Sequence, residues 1–403
     1  MSDTATIDMA HVNRQAGGLA RNLFRGGMVT AVVGLTFGLA LVLAGERGAL
    51  LRAYLVDYAF CLSLALGALF FVLLQHLTRA GWSVAVRRLA EVVAATLPAL
   101  ALMGLPLLLA TRTLYEWFAP GQLSAAEGQA VLEKSAYLNA GFFVFRYVAC
   151  FAVLGLLAWY YLRMSVRQDR TGDAGVTRRL QWLSAPAMVL FAFALTVLAI
   201  DLLMSRWPLW YSTIFGVYYF AGCVVGSLAL LILMAVWLQA AGRLRDIITV
   251  DHYHDLGKLL FAFVVFWAYI AFSQYMLIWY GNMPEETVWL ASRQSHGWAF
   301  IGLALLLGHF LLPFLALLSR VPKRRQGWLA AAAVWLLLMH WLDVYYLVVP
   351  HGGTPLAFGL PDLAGALGVG GLFVAALGGR LGQQSLVAER DPRLAESLSF
   401  ENA

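Results

Sequence analysis

The sequence predicts an all-α polytopic membrane protein of about ten transmembrane helices, and three observations carry that expectation. The chain is 61% hydrophobic and only 12% charged, whereas about a quarter of an ordinary soluble domain is charged. Its mean hydropathy is +0.75. Its apolar runs recur at the length of about 20 residues that a helix needs to cross a bilayer.

Taken in order, residues 1–25 are polar, lack the apolar core and cleavage site of a secretory signal, and read as a cytoplasmic tail. Span 1 follows at 26–44 and is short. Spans 2 to 9 fall at 54–77, 89–111, 137–162, 183–204, 214–241, 258–280, 298–318 and 328–349. Span 10, at 363–381, is rich in Gly and Ala. Spans 5 and 9 each carry an aspartate near one end, in "ALTVLAIDLLMS" and "WLLLMHWLDVYY", and each follows a basic loop. Spans 2–5 and 6–9 are therefore expected to form two four-helix bundles related by a parallel repeat. The organisation expected is a tail at 1–25, a peripheral helix and loop at 26–53, bundles at 54–205 and 206–350, and a peripheral helix with a cytoplasmic tail at 351–403. Cys61, Cys150 and Cys223 lie inside spans, with no CxxCH and no cysteine cluster, and read as small apolar packing residues.

Charge sets the orientation. Twenty-one of the 28 lysines and arginines fall on the side of the N-terminus and every second loop, six fall on the other, and Arg146 lies inside a span. Positive charge collects on the cytoplasmic side, so both termini are expected there. The charge is spread over short juxtamembrane loops, which argues against nucleic acid as a partner; lipid is the expected surroundings.

Ionisable groups inside spans are costly and are candidates for function. Asp57 opens span 2 on the outer side. Arg146 lies a third of the way into span 4 from outside, Asp201 near the outer end of span 5, and Gln274 in the outer half of span 7. His309 falls near the middle of span 8. His340 and Asp343 share one face of the outer half of span 9. Arg146 has two roles open to it: a buried ion pair with Asp57, Asp201 or Asp343, or a cation beside a quinone headgroup or proton path. Ser273 and Gln274 either bond helices together or line a headgroup pocket. His309 and His340 suit a hydrogen-bonded pair, or a polar chain with Asp343, better than the two axial ligands of a haem. On the cytoplasmic side, Asp251, His254, Asp255 and Lys258 form one helical stripe, which His76 could join. That stripe is either a proton entrance or a helix N-terminus with acids complementing its dipole. A proton path is expected to use His254, Asp255, Lys258, His309, His340, Asp343 and Asp201, and a quinone site Arg146, Gln274 and His340.

The segments "WPLWYSTIFGVYYFAGCVVGSLAL" (207–230) and "HDLGKLLFAFVVFWAYIAFSQYMLIWYGNMPEET" (254–287) resemble the F subunit of alternative complex III, a quinol:cytochrome c oxidoreductase. That subunit is similar to the NrfD-like membrane anchors of polysulfide-reductase type. Gly281 and Met283 depart mildly from the pattern, and the likeness is close over roughly 200–320. The resemblance implies ten helices in two bundles with two peripheral helices, and no redox cofactor of the chain's own. It also implies partners: a multihaem cytochrome c, an iron–sulfur protein and a second ten-helix subunit. Menaquinol or ubiquinol is the small molecule implied, with a proposed role in proton conduction. A proton-coupled secondary transporter is the alternative. It would favour Gly/Pro breaks at matching places in both halves, whereas Pro98 and Pro106 interrupt span 3 and nothing interrupts span 7 from Leu259 to Tyr280.

Reporter fusions after Arg170 and after Pro284 are expected to report cytoplasm and periplasm respectively. The same side for both would end the ten-span arrangement.

Overall fold

The computed structural model describes residues 15–351 and 353–402. Among them, ten helices are long and apolar enough to cross a membrane. Span 1 is Gly18–Leu43, span 2 Arg47–Leu77, span 3 Val84–Leu109, span 4 Ala140–Thr171 and span 5 Ala174–Leu202. Span 6 is Phe215–Ala240, span 7 Val250–Gly281, span 8 Trp298–Leu317, span 9 Gln326–Val348 and span 10 Leu360–Leu381. The chain is an all-α polytopic membrane protein.

Span 1 begins earlier than its apolar run, so Arg21 and Arg25 belong to a helix and not to a loose tail; residues 1–14 of that expected tail lie outside the described residues. Span 2 likewise starts at Arg47 rather than 54. Local chemistry fixes several ends. Gly172, at φ 67°, closes span 4 in the left-handed conformation, and the Asp173 carboxylate accepts from the Gly175 amide at 2.7 Å to open span 5. Asn139 caps span 4 through the Phe142 amide at 2.8 Å. Asn282, at φ 46°, ends span 7.

Span 3 is broken at Ala95–Thr96 and again at Gly104, beside Pro98 and Pro106. Within a bilayer a freed carbonyl needs a protein donor. The Tyr54 hydroxyl donates to the Met103 carbonyl at 2.6 Å, and Tyr147 donates to that of Ala101 at 2.7 Å. Span 7 runs unbroken, so the matched pair of broken helices that a transporter would favour is not formed.

Spans 2 and 6 occupy the centre. Their apolar windows are 89% and 78% buried, against half or less for the other eight. They pack on each other, and each also packs on spans 5 and 9. The contacts correspond under a shift of four spans: 2 with 3 and 6 with 7, 2 with 5 and 6 with 9, 4 with 5 and 8 with 9. Spans 1 and 10 pair with each other against span 2. Glycines allow this: a Cβ on Gly34 would overlap the Gly368 backbone, and one on Gly371 the Ala31 backbone.

The C-terminal segment is bound rather than free. Asp391 pairs with Arg87 at 2.5 Å, Ser397 donates to the Trp82 carbonyl at 2.6 Å, and Asn402 donates to Asp255 at 3.0 Å. It therefore ties the starts of spans 3 and 7, one from each bundle. The face bearing these contacts is called the terminal face below, and the opposite one the far face.

A Cβ on Gly67 would overlap the Cys223 carbonyl across the span 2–span 6 contact. Gly67→Leu is expected to destabilise the protein by at least the ~1–3 kcal/mol that overpacking costs, read as a lower melting temperature in detergent. Unchanged melting would mean that the two central helices can part freely.

Candidate functional site

A cavity of about 770 Å³ lies among spans 6 to 9 toward the far face, a size typical of small-molecule sites. Its walls are aromatic and aliphatic. Phe272, Tyr275 and Leu306 line it and also reach the outer surface, at 62%, 42% and 56% exposure, so it is bordered by lipid-facing side chains. The short helix Pro284–Ser292 covers it. Pro284 at the first position and Glu285 and Glu286 in the first turn suit a helix start. Trp289 of this helix stacks on Trp210 at 4.4 Å and 6°, which pins the cover to the segment before span 6.

Behind one wall is a buried polar group. The Asp343 carboxylate accepts from the Tyr218 hydroxyl at 2.6 Å and from the Trp267 indole N–H at 3.0 Å. Tyr218 and Trp267 themselves line the cavity, so they stand between it and the acid. His309 packs on Trp267 with ring centroids 3.9 Å apart. It is fully buried, and neither ring nitrogen has a hydrogen-bond partner among the described residues. Its surroundings are a widened, π-helical stretch, Leu305–Leu311. Pro313, four residues on, has no N–H to offer the His309 carbonyl, and such single π turns are common at functional sites.

His340 does not bond to His309 or to Asp343, as the sequence led us to expect. The two imidazoles lie 6.5 Å apart. His340 Nε2, a nitrogen that a haem iron could take, is instead 2.7 Å from Ser63 Oγ on span 2. Its ring lies against span 6 at Gly222 and Gly226, where any Cβ would come within 2.7 Å of it. His340 is thus a link between spans 9, 2 and 6.

The cation at the cavity is Arg293. It is fully buried, with its guanidinium 3.6 Å over the Trp289 ring. It donates to the carbonyls of Trp289 at 3.1 Å and Leu347 at 2.9 Å. No carboxylate pairs with it among the described residues, and its Nε has no partner. Burial lowers its guanidinium to about 9, which leaves it charged at neutral pH. Gln274 also lines the cavity, and its carbonyl oxygen accepts from Ser212 at 3.3 Å.

The other expected site residues are elsewhere. Arg146 forms a two-pronged ion pair with Asp201, at 2.7 and 3.0 Å, and donates to the Tyr137 carbonyl at 3.0 Å. Tyr137 in turn donates to Asp201 at 2.9 Å. Of the roles open to Arg146, the ion pair is the one formed, and neither Arg146 nor Asp201 reaches the cavity. His340 does not line it either. On the terminal face, Lys258 pairs with Asp255, and Asp251 pairs with Arg324 at 2.6 Å. His76 does not join them; it packs on Tyr161 of span 4.

Three features escaped the sequence reading. Arg293 was only one of six far-side lysines and arginines. Tyr218 and Trp267 had no mark to separate them from the many other aromatics. Glu91, inside the expected span 3, bonds Arg87 and Arg88 at 3.3 and 2.9 Å, and its spacing of four and three residues from them was a usable signal. Among the described residues no group of three or more acidic, His or Cys side chains could hold a metal.

No family model matches the chain, and no curated protein matches it.

Removing one partner of a buried ion pair strands the other, at a cost on the order of 3–5 kcal/mol. Arg146→Met is expected to lower the melting temperature strongly, and adding Asp201→Leu to recover most of the loss. Failure of the second change to help would show that Asp201 is not stranded by the first.

Proposed function

We propose that the chain is an integral membrane subunit of a respiratory quinol:cytochrome c oxidoreductase of the alternative complex III type, and that its cavity among spans 6 to 9 receives a quinone headgroup. The observation that carries this is the combination of a buried, carboxylate-free Arg293 and Gln274 in a largely aromatic and aliphatic cavity bordered by lipid-facing residues. A quinone enters from lipid, is flat and apolar, and presents oxygens that accept hydrogen bonds. The segments 207–230 and 254–287, which carry the resemblance, supply Tyr218, Trp267 and Gln274 of the lining.

In this proposal Arg293 and Gln274 orient the headgroup, and Trp289 and Trp267 flank it and exclude water. A quinol bound there would supply two electrons and two protons, the electrons passing to partner subunits. Asp343, reached through Tyr218, is the group on this chain best placed to hold a proton. In this proposal the terminal face is cytoplasmic and the cavity lies in the periplasmic half, a reading supported by the positive-inside distribution. The terminal-face residues His254, Asp255 and Lys258 belong to this proposal only as a remote entrance, because Asp255 and Lys258 are paired with each other and Asp255 also holds Asn402.

A photo-reactive quinone analogue added to the purified protein is expected to label peptides spanning 267–275 and 289–294. Losing a hydrogen bond to a charged group costs about 1.5–3 kcal/mol, so Arg293→Gln is expected to reduce labelling roughly tenfold or more, and Gln274→Ala less. Labelling confined to 252–258 would refute the site.

A further inference from the structure

A second cleft, of about 470 Å³, opens on the terminal face between the broken start of span 3, the end of span 4 and the end of span 10. It is independent of the quinone proposal. Arg163, Arg167, Arg170 and Arg380 line it, together with Trp159 and Pro98, and no acidic residue does. On span 4 the residues Trp159, Arg163, Arg167 and Arg170 follow at intervals of four, four and three, one stripe of a helix. None of the four arginines is in an ion pair among the described residues. The nearest acid on the same helix, Asp169, is turned the other way and pairs with Arg88 at 2.8 Å. Four like charges therefore converge on one cleft that no acidic residue lines.

Depth places this cleft at the lipid headgroups. Span 4 has 32 residues, about 48 Å of helix, against roughly 30 Å of hydrocarbon. Counting about 20 residues from Ala140 brings the chain to Trp159, a residue type that favours the membrane–water boundary. Arg163 lies with its guanidinium 4.9 Å from the Trp159 ring, and the three arginines continue outward from there. Below them the surface is apolar: Leu156 on span 4 and Leu102 on span 3 are 61% and 67% exposed. Pro98, beside the break in span 3, packs against span 4 at Gly155. The cleft thus offers cations at headgroup level over an apolar wall at acyl-chain level.

We propose that this cleft is a binding site for an anionic phospholipid whose headgroup carries two phosphates. The arginine stripe from Arg163 to Arg170 extends about 10 Å along the helix, longer than a single phosphate. Arginine forks match phosphate oxygens in pairs, and basic pockets between spans hold such headgroups.

Native mass spectrometry of the full chain, stripped of lipid in detergent, tests the proposal by titration with cardiolipin, phosphatidylglycerol, phosphatidylcholine and inorganic phosphate. Cardiolipin is expected to bind most tightly, and inorganic phosphate not to displace it. Arg167→Gln with Arg170→Gln is expected to weaken cardiolipin roughly tenfold or more. Arg178→Gln with Arg179→Gln, on the same face but outside the cleft, is expected to stay within about twofold. Both cleft arginines are exposed, so the first pair is expected to melt as the unaltered protein does. Arg167→Lys with Arg170→Lys keeps the charge and is expected to retain binding better than the Gln pair. Equal losses from both Gln pairs would reduce the effect to general surface charge. Binding of phosphate alone as tightly as lipid would make the ligand a free anion, and no preference over phosphatidylcholine would remove the site. Any of these three results overturns the proposal.

Discussion

The close approach of spans 2 and 6 is the contact around which the other helices are arranged. In lipid, apolar side chains gain little by leaving their surroundings, so helices associate through close packing and hydrogen bonds. Gly67 lets the two backbones meet at Cys223, and the Tyr219 hydroxyl on span 6 donates to the Ala59 carbonyl on span 2 at 2.6 Å. Span 9 then joins both, through His340 against Gly222 and Gly226 and its bond to Ser63. Without the two glycines the imidazole would have nowhere to lie, and the wall that holds Asp343 would shift with it.

Two buried carboxylates, Asp201 and Asp343, are held differently. Asp201 is matched by Arg146 and braced by Tyr137, which satisfies both oxygens and locks spans 4 and 5. Among the described residues Asp343 receives only neutral donors, Tyr218 and Trp267. Arg293, the buried cation beside the same cavity, is held by backbone carbonyls and a tryptophan face instead. A matched pair is chemically closed, whereas an acid and a cation left unmatched near one cavity are available to a third party. That contrast, together with the cavity beside Asp343, is why spans 6 to 9 are the ones we associate with a ligand.

Much of the architecture was legible in the sequence because the bilayer imposes one simple demand. A spanning helix must be about 20 apolar residues long, and the ten runs showed this directly, with ends displaced by up to about ten residues where polar residues extend a helix past the hydrocarbon. The break in span 3 was legible too, since proline removes a donor wherever it sits. Candidate polar residues were visible because charge inside a span is rare. Hydropathy, however, could not rank the helices by burial. Span 5 is the most apolar yet half buried, while span 2, less apolar, is almost wholly enclosed. Lipid and protein interior are equally apolar, so the scale that finds a membrane helix is blind to what covers it.

Pairing of the polar residues was decided only by the tertiary structure. The sequence by itself determined that Arg146, Asp201, Gln274, His309, His340 and Asp343 lie inside the membrane, and roughly how deep. It left three acids open as partners for Arg146, and it joined His340 to His309 or Asp343 because depth and helix face were all it could compare. Which helix faces which is set by the small residues at crossings, such as Gly67, Gly222 and Gly226, and depth carries no information about rotation. The same crossings brought Arg293, from a loop, over the cavity beside Gln274 and sent Arg146 to Asp201. Linear spacing fixed the depth of each charge, and side-chain packing between helices chose its partner.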